Sequence, residues 1–507
     1  MGRAISQCTS VHSRPRQTRW LKRHYESFAR NPDRLARPNA LGSLKQLFAR
    51  QPLGWTASEA SGPRLRRILG WPALTGIGLG TMLGGIFPTI GAGAHAAGPG
   101  VILAYVLSGL VSLCVALCYA EFASMVPVAG SAYTYAYATL GELVAWIIGW
   151  DLILEYGLSL APTASSLSDY FQHMLANIGI VFPGWAQTAN LHGPHLQIDL
   201  FASIVTLAVT LLVAIGIRES ASVNGALVVV QILSMLVFIV AVGHAIRPAN
   251  LHPFAPFGYH GVIASTALVF FAYIGFDTVT VASEEAKRPE RDVPVSIILA
   301  LLLGGILYVA LTLCTVGVLP FGRLSDGAAM LDALGSVTKS HTLYWIVAFG
   351  GLAGNATVML TSLLGQVRIF YVMARDRMLP PGVARIHHVF RTPARMTALT
   401  GGIVAVFAAV LPLTDLLTLV NIGTLAAFAI VCAGVLVLRV VNPAAARPFR
   451  APLLPLFSIA GAVSCLYLVS GLQVATWIRY AVWFAVGIVV YALYGFRNSR
   501  LRVVKGV

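Results

Sequence analysis

The chain of 507 residues is 57% hydrophobic and only 11% charged, with a mean hydropathy of +0.77. Soluble chains carry roughly 25% charged residues, and a single soluble core stops growing at about 250–300 residues. The composition therefore excludes a soluble enzyme, a disordered chain and a nucleic-acid-binding domain, even at a net charge of +16, and predicts an all-α polytopic membrane protein set in a lipid bilayer.

Residues 1–67 hold 14 of the 35 Lys and Arg, from Arg3 to Arg67, and no long apolar run. They read as a basic cytoplasmic N-terminal tail, with an Arg-rich organellar transit peptide as the minor alternative. A secretory signal would need an apolar core, and none occurs before residue 68. Twelve apolar runs of the length that crosses a bilayer follow, at about 70–92, 99–125, 140–166, 198–217, 223–246, 260–284, 294–319, 342–374, 396–413, 416–440, 453–473 and 476–496. With the N-terminus inside, the inner segments collect 31 of the 35 Lys and Arg, and only Arg247, Arg323, Lys339 and Arg479 lie outside. That is the positive-inside bias. Both termini are expected in the cytoplasm, the second as a basic tail over 497–507, and the membrane reads as a bacterial inner membrane. The six cysteines have no metal-ligand spacing; five lie in apolar runs and read as free thiols.

Glycine placement singles out two spans. In the first, Ile77–Pro88 packs four glycines and a proline into twelve residues; in the sixth, Phe270–Asp277 sets Gly275 and Asp277 at mid-membrane depth. Irregular backbone survives there only where it lines a cavity or is buried in protein. If spans one to five repeat, inverted, as six to ten, these two are counterparts, and paired interruptions point to a transporter's central site. Close packing by small residues is the plainer alternative. Half-helix N-termini suit a carboxylate and freed carbonyls suit an ammonium, so an α-amino acid fits such a site.

Charged residues inside the spans are few. Glu155 lies about 15 residues into span three and Asp151 one turn earlier on the same face; intramembrane carboxylates are functional candidates by default. Asp277 follows the span-six break. Glu121, Glu142, Arg218, Glu219, Arg375 and Asp376 fall near inner span ends and are expected to pair there, while Glu284–Asp292 reads as a solvated loop. The scattered histidines give no metal site, and no cofactor, nucleophile–base set or nucleotide-binding loop is apparent, so neither an enzyme nor an ATP-driven pump is expected.

Four segments, Cys118–Tyr156, Gly216–Asn224, Phe270–Pro294 and Gly365–Pro380, resemble amino acid permeases of the amino acid–polyamine–organocation superfamily, most of all the cationic amino acid transporter branch. The resemblance implies twelve transmembrane helices. Ten form a five-plus-five inverted-repeat core over 68–440 with broken helices one and six, and two peripheral helices follow over 441–496. It implies alternating access, with the substrate carboxylate at Gly84, Gly85 and Ile86, the ammonium at carbonyls of Phe271, Ala272 and Ile274 beside Gly275, and the Phe271 ring closing from outside. Ser362 then sits near the substrate's side-chain end, and Glu155 supplies a counter-charge, which favours arginine, lysine or ornithine over small neutral amino acids.

Two departures stand out. The family's G-x-G-I-F is one residue shorter here, at Gly84-Gly85-Ile86-Phe87, and a deletion rotates the preceding half-helix by about 100°. Proton-coupled bacterial members carry lysine where this chain has Gln231, which keeps hydrogen bonding but does not titrate. Gln231 and Asp277 are thus the coupling candidates. Facilitated transport or exchange is the expectation, with proton symport through Glu155 or Asp277 and a non-transporting amino acid sensor as alternatives. Nothing in the sequence fixes the oligomeric state.

Overall fold

A computed structural model describes Gln46, Leu47, Ala49 and residues 68–125, 131–191, 197–215, 221–385, 387, 392–443 and 447–500. Most of the basic N-terminal tail, Arg218, Glu219 and the end of the C-terminal tail lie outside the described residues.

Every regular element among these residues is helical, with only two isolated bridges, Leu69 to Ala286 and Asn190 to Gln197. The first span is two helices, α1 (Trp71–Leu83) and α2 (Ile90–Ala97), joined by a 3-10 turn over Gly84–Ile86. Then come α3 (Val101–Met125), a short α4 (Ser131–Thr139), α5 (Glu142–Leu158) and α6 (Leu160–Asn177), the last two forming one long span bent at Ser159. After α7 (Leu200–Ile215) and α8 (Ala221–Gly243), the sixth span is again split, into α9 (Gly258–Val269), a 3-10 turn over Phe270–Tyr273 and a one-turn α10 (Thr278–Val281). The chain continues through α11 (Pro289–Val318), α12 (Ala329–Val337), α13 (His341–Arg375), α14 (Ala394–Val410), α15 (Leu413–Val441), α16 (Leu454–Ser470) and α17 (Val474–Val490).

Eight segments among the described residues are long and apolar enough to cross a membrane, and α7, α14 and α16 are shorter apolar helices. Their outer faces are apolar and bare: Leu207 and Leu211 on α7, Val229, Leu233 and Val240 on α8, Leu456 and Val463 on α16. Exposed apolar stripes of this extent suit contact with lipid. Buried hydroxyls turn back on their own helices, as Thr206 does to Ala202 O (2.8 Å) and Thr210 to Thr206 O (2.6 Å), because no water is available to satisfy them.

Two bodies of packing emerge. In one, α3 lies along α11 and α9, α1 along α11, and α2 along α9; in the other, α13 packs on α6 and α8, and α14 on α7. Helix α15 touches α3, α5, α6 and α9 and so bridges them. Two short helices absent from the twelve spans, α4 and α12, lie between spans two and three and between spans seven and eight.

The charged span ends pair as expected where they are described. Arg439 grips buried Glu121 through Nε (2.9 Å) and Nη2 (2.5 Å), and Glu121 also accepts from Ala451 N (2.9 Å). Glu142 accepts from Tyr491 (3.0 Å) and Ser499 (2.5 Å), and Asp376 from Tyr133 (3.1 Å). The stretch 284–292 departs from a solvated loop: Leu69 N donates to Glu285 O (3.0 Å), Lys287 N to Leu69 O (2.8 Å), and Pro289 already begins α11. Its charged side chains hid a backbone that ties the C-terminal end of the sixth span to the start of the first.

Candidate functional site

The two breaks face each other across the bundle. At Gly85 a Cβ would lie 2.8 Å from Ala272 Cα and 3.2 Å from Phe271 O, so only glycine lets the two irregular turns touch. Gly275 has φ +119°, outside the range side chains adopt, and its α-carbon faces Thr81. Between the turns stands Tyr308 of α11, whose buried hydroxyl is 2.6 Å from Met82 O and 2.7 Å from Ala272 O. Thr89 holds the first turn from the other side, donating to Gly85 O (2.7 Å) and meeting Tyr105 Oη (2.8 Å).

A small cavity opens beside this contact. Of the residues expected from sequence, Gly85, Glu155, Phe271, Ile274, Gly275 and Ser362 line it. Gly84, Ile86 and Ala272 do not. Gly84 turns toward α13, where a Cβ would fall 2.4 Å from Gly354 O, and Ala272 O is taken by Tyr308. Thr81, Tyr156, Ser159, Thr278 and Val358 complete the lining, and the sequence reading did not name them for it. Helical spacing from residues it did name, Ser159 four after Glu155 and Val358 four before Ser362, could have found two of them.

Glu155 is the carboxyl group of the lining. It is fully buried and neither carboxylate oxygen finds a hydrogen-bond partner, the nearby Thr424 hydroxyl being directed at Val420 O (3.1 Å). Asp277 lies within electrostatic reach of it and accepts from Tyr156 Oη at 2.7 Å, which ties the cavity wall to the second break. Asp151 shares the helix with Glu155 but meets Tyr480 of α17 (3.1 and 3.2 Å), away from the cavity.

Gln231 sits apart from the cavity, on α8 against α13: a Cβ at Gly354 would lie 2.9 Å from Gln231 Nε2 and 2.4 Å from Phe87 Cε2. Neither end of its buried amide has a hydrogen-bond partner. Among the described residues five cysteines are free, and no cluster of three or more His, Cys, Asp or Glu is placed to hold a metal ion.

Comparison with known proteins matches residues 69–494 to the amino acid permease family. The chain is 40% identical over 460 residues to a methylthioribose transporter of Bacillus subtilis, covering 90% of this chain and 100% of that one. It is 41% identical over 452 residues to a branched-chain amino acid permease of the same organism (88% and 96%), and 35% identical over 382 residues to the vacuolar cationic amino acid transporter 4 of Arabidopsis thaliana (73% and 63%). The chain is thus a multi-pass integral membrane protein of a transporter rather than an enzyme lineage: it belongs to the amino acid permease family.

Proposed function

We propose that the chain carries L-amino acids across a bacterial cytoplasmic membrane by alternating access, with the cavity between the two helix breaks as its central site. Twelve crossings with both termini inside, ten of them in two inverted five-helix repeats, complete this reading. Helix contacts support the repeat, because they map onto themselves when spans one to five are exchanged with six to ten. Span one on seven (α1, α11) answers span six on two (α9, α3), and span five on eight (α8, α13) answers span ten on three (α15, α5).

Glu155 carries the substrate reading. A buried carboxylate without a donor, facing a cavity, is costly unless a cation joins it. The side-chain charge of arginine, lysine or ornithine supplies that cation, and Ser362 leaves room for its stem. The neutral amide of Gln231 supports facilitated transport or exchange, the cation being drawn inward at about 2.3 kcal/mol per charge per 100 mV. A second reading rests on the apolar wall of Phe271, Ile274 and Val358 and on the relative named for branched-chain amino acids: there the substrate is neutral and Glu155 carries a proton, which makes the transporter a proton symporter.

The test is uptake of labelled arginine and leucine into proteoliposomes, with membrane potential and pH gradient imposed separately and methylthioribose among the competitors. The expected result is arginine uptake driven by an inside-negative potential and indifferent to a pH gradient at zero voltage. Leucine uptake that arginine does not compete with replaces the cationic reading by the neutral one. Concentrative uptake driven by the proton gradient alone replaces exchange by symport, and uptake no greater than in empty liposomes overturns transport itself.

A further inference from the structure

The segment 319–340 between α11 and α13, with α12 inside it, lies across one end of the bundle and touches both packing bodies. On one side it meets α2, the outer half of the first broken span. A Cβ at Gly91 would lie 2.0 Å from Ser325 O, and His95 Nδ1 is 2.7 Å from Asp326 Oδ1. On the other side it meets α6, where Ser166 donates to Gly327 O (2.7 Å) and His173 Nε2 is 3.3 Å from Asp332 Oδ1. Ser325 pre-forms the segment by donating to Asp332 Oδ2 through its N (2.7 Å) and Oγ (2.6 Å).

Burial opposes a charge on His173, but its bonding favours one. Its Nδ1 is 2.7 Å from the Asp169 carbonyl oxygen while Nε2 faces the Asp332 carboxylate. Both partners are acceptors, and a neutral imidazole has one N–H. The two bonds coexist only in the imidazolium. His95 pairs with a carboxylate in the same way, with the Leu324 and Phe321 carbonyls also within its reach.

We propose that this segment is a lid latched by protonated His95 and His173, one to each body of the molecule, so that acid on that side closes that mouth of the transporter. The docked lid holds protons that the lifted lid releases, so docking is favoured below the ordinary histidine range, near about pH 6.5, and weakens as pH rises through and above it. Other groups surround the latch. Burial raises Asp332, but the bonds from His173 and Ser325 outweigh it and hold that carboxyl below its usual range. Asp169 lies beneath Gly327, and Tyr170 and Tyr344 flank Asp332. Asp199 accepts from Ser168 Oγ (2.6 Å) and Ala202 N (2.9 Å). Asp169, with Asp199 behind it, also faces His173, and its ionisation at higher pH would strengthen the imidazolium, opposite in sign to the proposed latch.

The experiment needs no substrate and so stands or fails apart from the transport reading. Met330→Cys, buried under the docked lid, and Ser336→Cys, exposed on it, are introduced singly into the full chain in detergent. Each is labelled with a maleimide, and the ratio of the two rates removes the common dependence on thiolate fraction. The ratio is expected to fall about tenfold from pH 8 to pH 5. It stays level in a His95→Gln, His173→Gln background, and stays low at both pH values when His173→Arg replaces His173→Gln there, which also shows that the lid still docks. A ratio independent of pH with the native histidines overturns the latch, as does an equally steep ratio without them.

Discussion

At the first break Leu83 (φ −61°, ψ −27°), Gly84 (−66°, −24°) and Phe87 (−60°, −45°) keep right-handed helical angles around a 3-10 turn before α2 resumes. At the second, Ile274 is extended (φ −64°, ψ 134°) and Gly275 turns to φ +119°, so the chain unwinds outright. A break that keeps helical angles frees fewer backbone groups for a ligand than one that unwinds. The second break therefore supplies more of the cavity wall, through Phe271, Ile274 and Gly275, while the first contributes Gly85 and the closeness of its backbone.

This asymmetry orders the effects of substitution. Gly275→Ala should do most damage, since it forces a side chain into a conformation that costs about 1–3 kcal/mol and drives a methyl to 2.9 Å from Thr81 Cγ2. Uptake should fall at least tenfold, by roughly 1.4 kcal/mol or more; initial rates in proteoliposomes measure it, and activity near the unsubstituted level would show that the second break is not rigid. Tyr308→Phe comes next. It removes the one O–H between Met82 O, which keeps Gly84 N, and the buried Ala272 O, at about 1–3 kcal/mol, and should lower the melting temperature in a thermal unfolding scan. An unchanged midpoint would mean the breaks are not held together by that hydroxyl. The smallest effect is expected at Gln231→Leu. With both amide atoms already unpartnered, an apolar side chain of similar size should leave the midpoint within about 1 kcal/mol of stability. A large loss there would reveal a bound partner for the amide.

Much of this was legible before the fold was seen. The positions of both breaks followed from glycine placement at Ile77–Pro88 and Phe270–Asp277 taken as counterparts in an inverted repeat, since one glycine-rich span alone equally suits close helix packing. The cavity membership of Glu155 and Ser362 came from charge in an apolar run and from the family likeness. Local pattern failed where neighbours decide. Gly84 and Gly85 are identical in sequence, and only the position of α13 turns one away from the cavity. Helices α4 and α12, nine residues each, are too short for a span search. Yet α12 buries Met330, Leu331 and Leu334 and leaves Asp332 half-buried at His173, an amphipathic pattern visible only to a shorter window. Asp151 and Glu155 share a helix face by spacing, but Tyr480 of a distant helix draws Asp151 off.

The central claim is that substrate lies where Gly85 touches the second break. Equilibrium binding of labelled arginine and leucine to the detergent-purified chain, compared with Gly85→Leu, tests it most directly. A side chain at that position would overlap Ala272 Cα at 2.8 Å from its Cβ onward. The account predicts saturable binding to the unsubstituted protein and none to a Gly85→Leu variant that still elutes as a folded monodisperse species; equal affinity in the two proteins would contradict it.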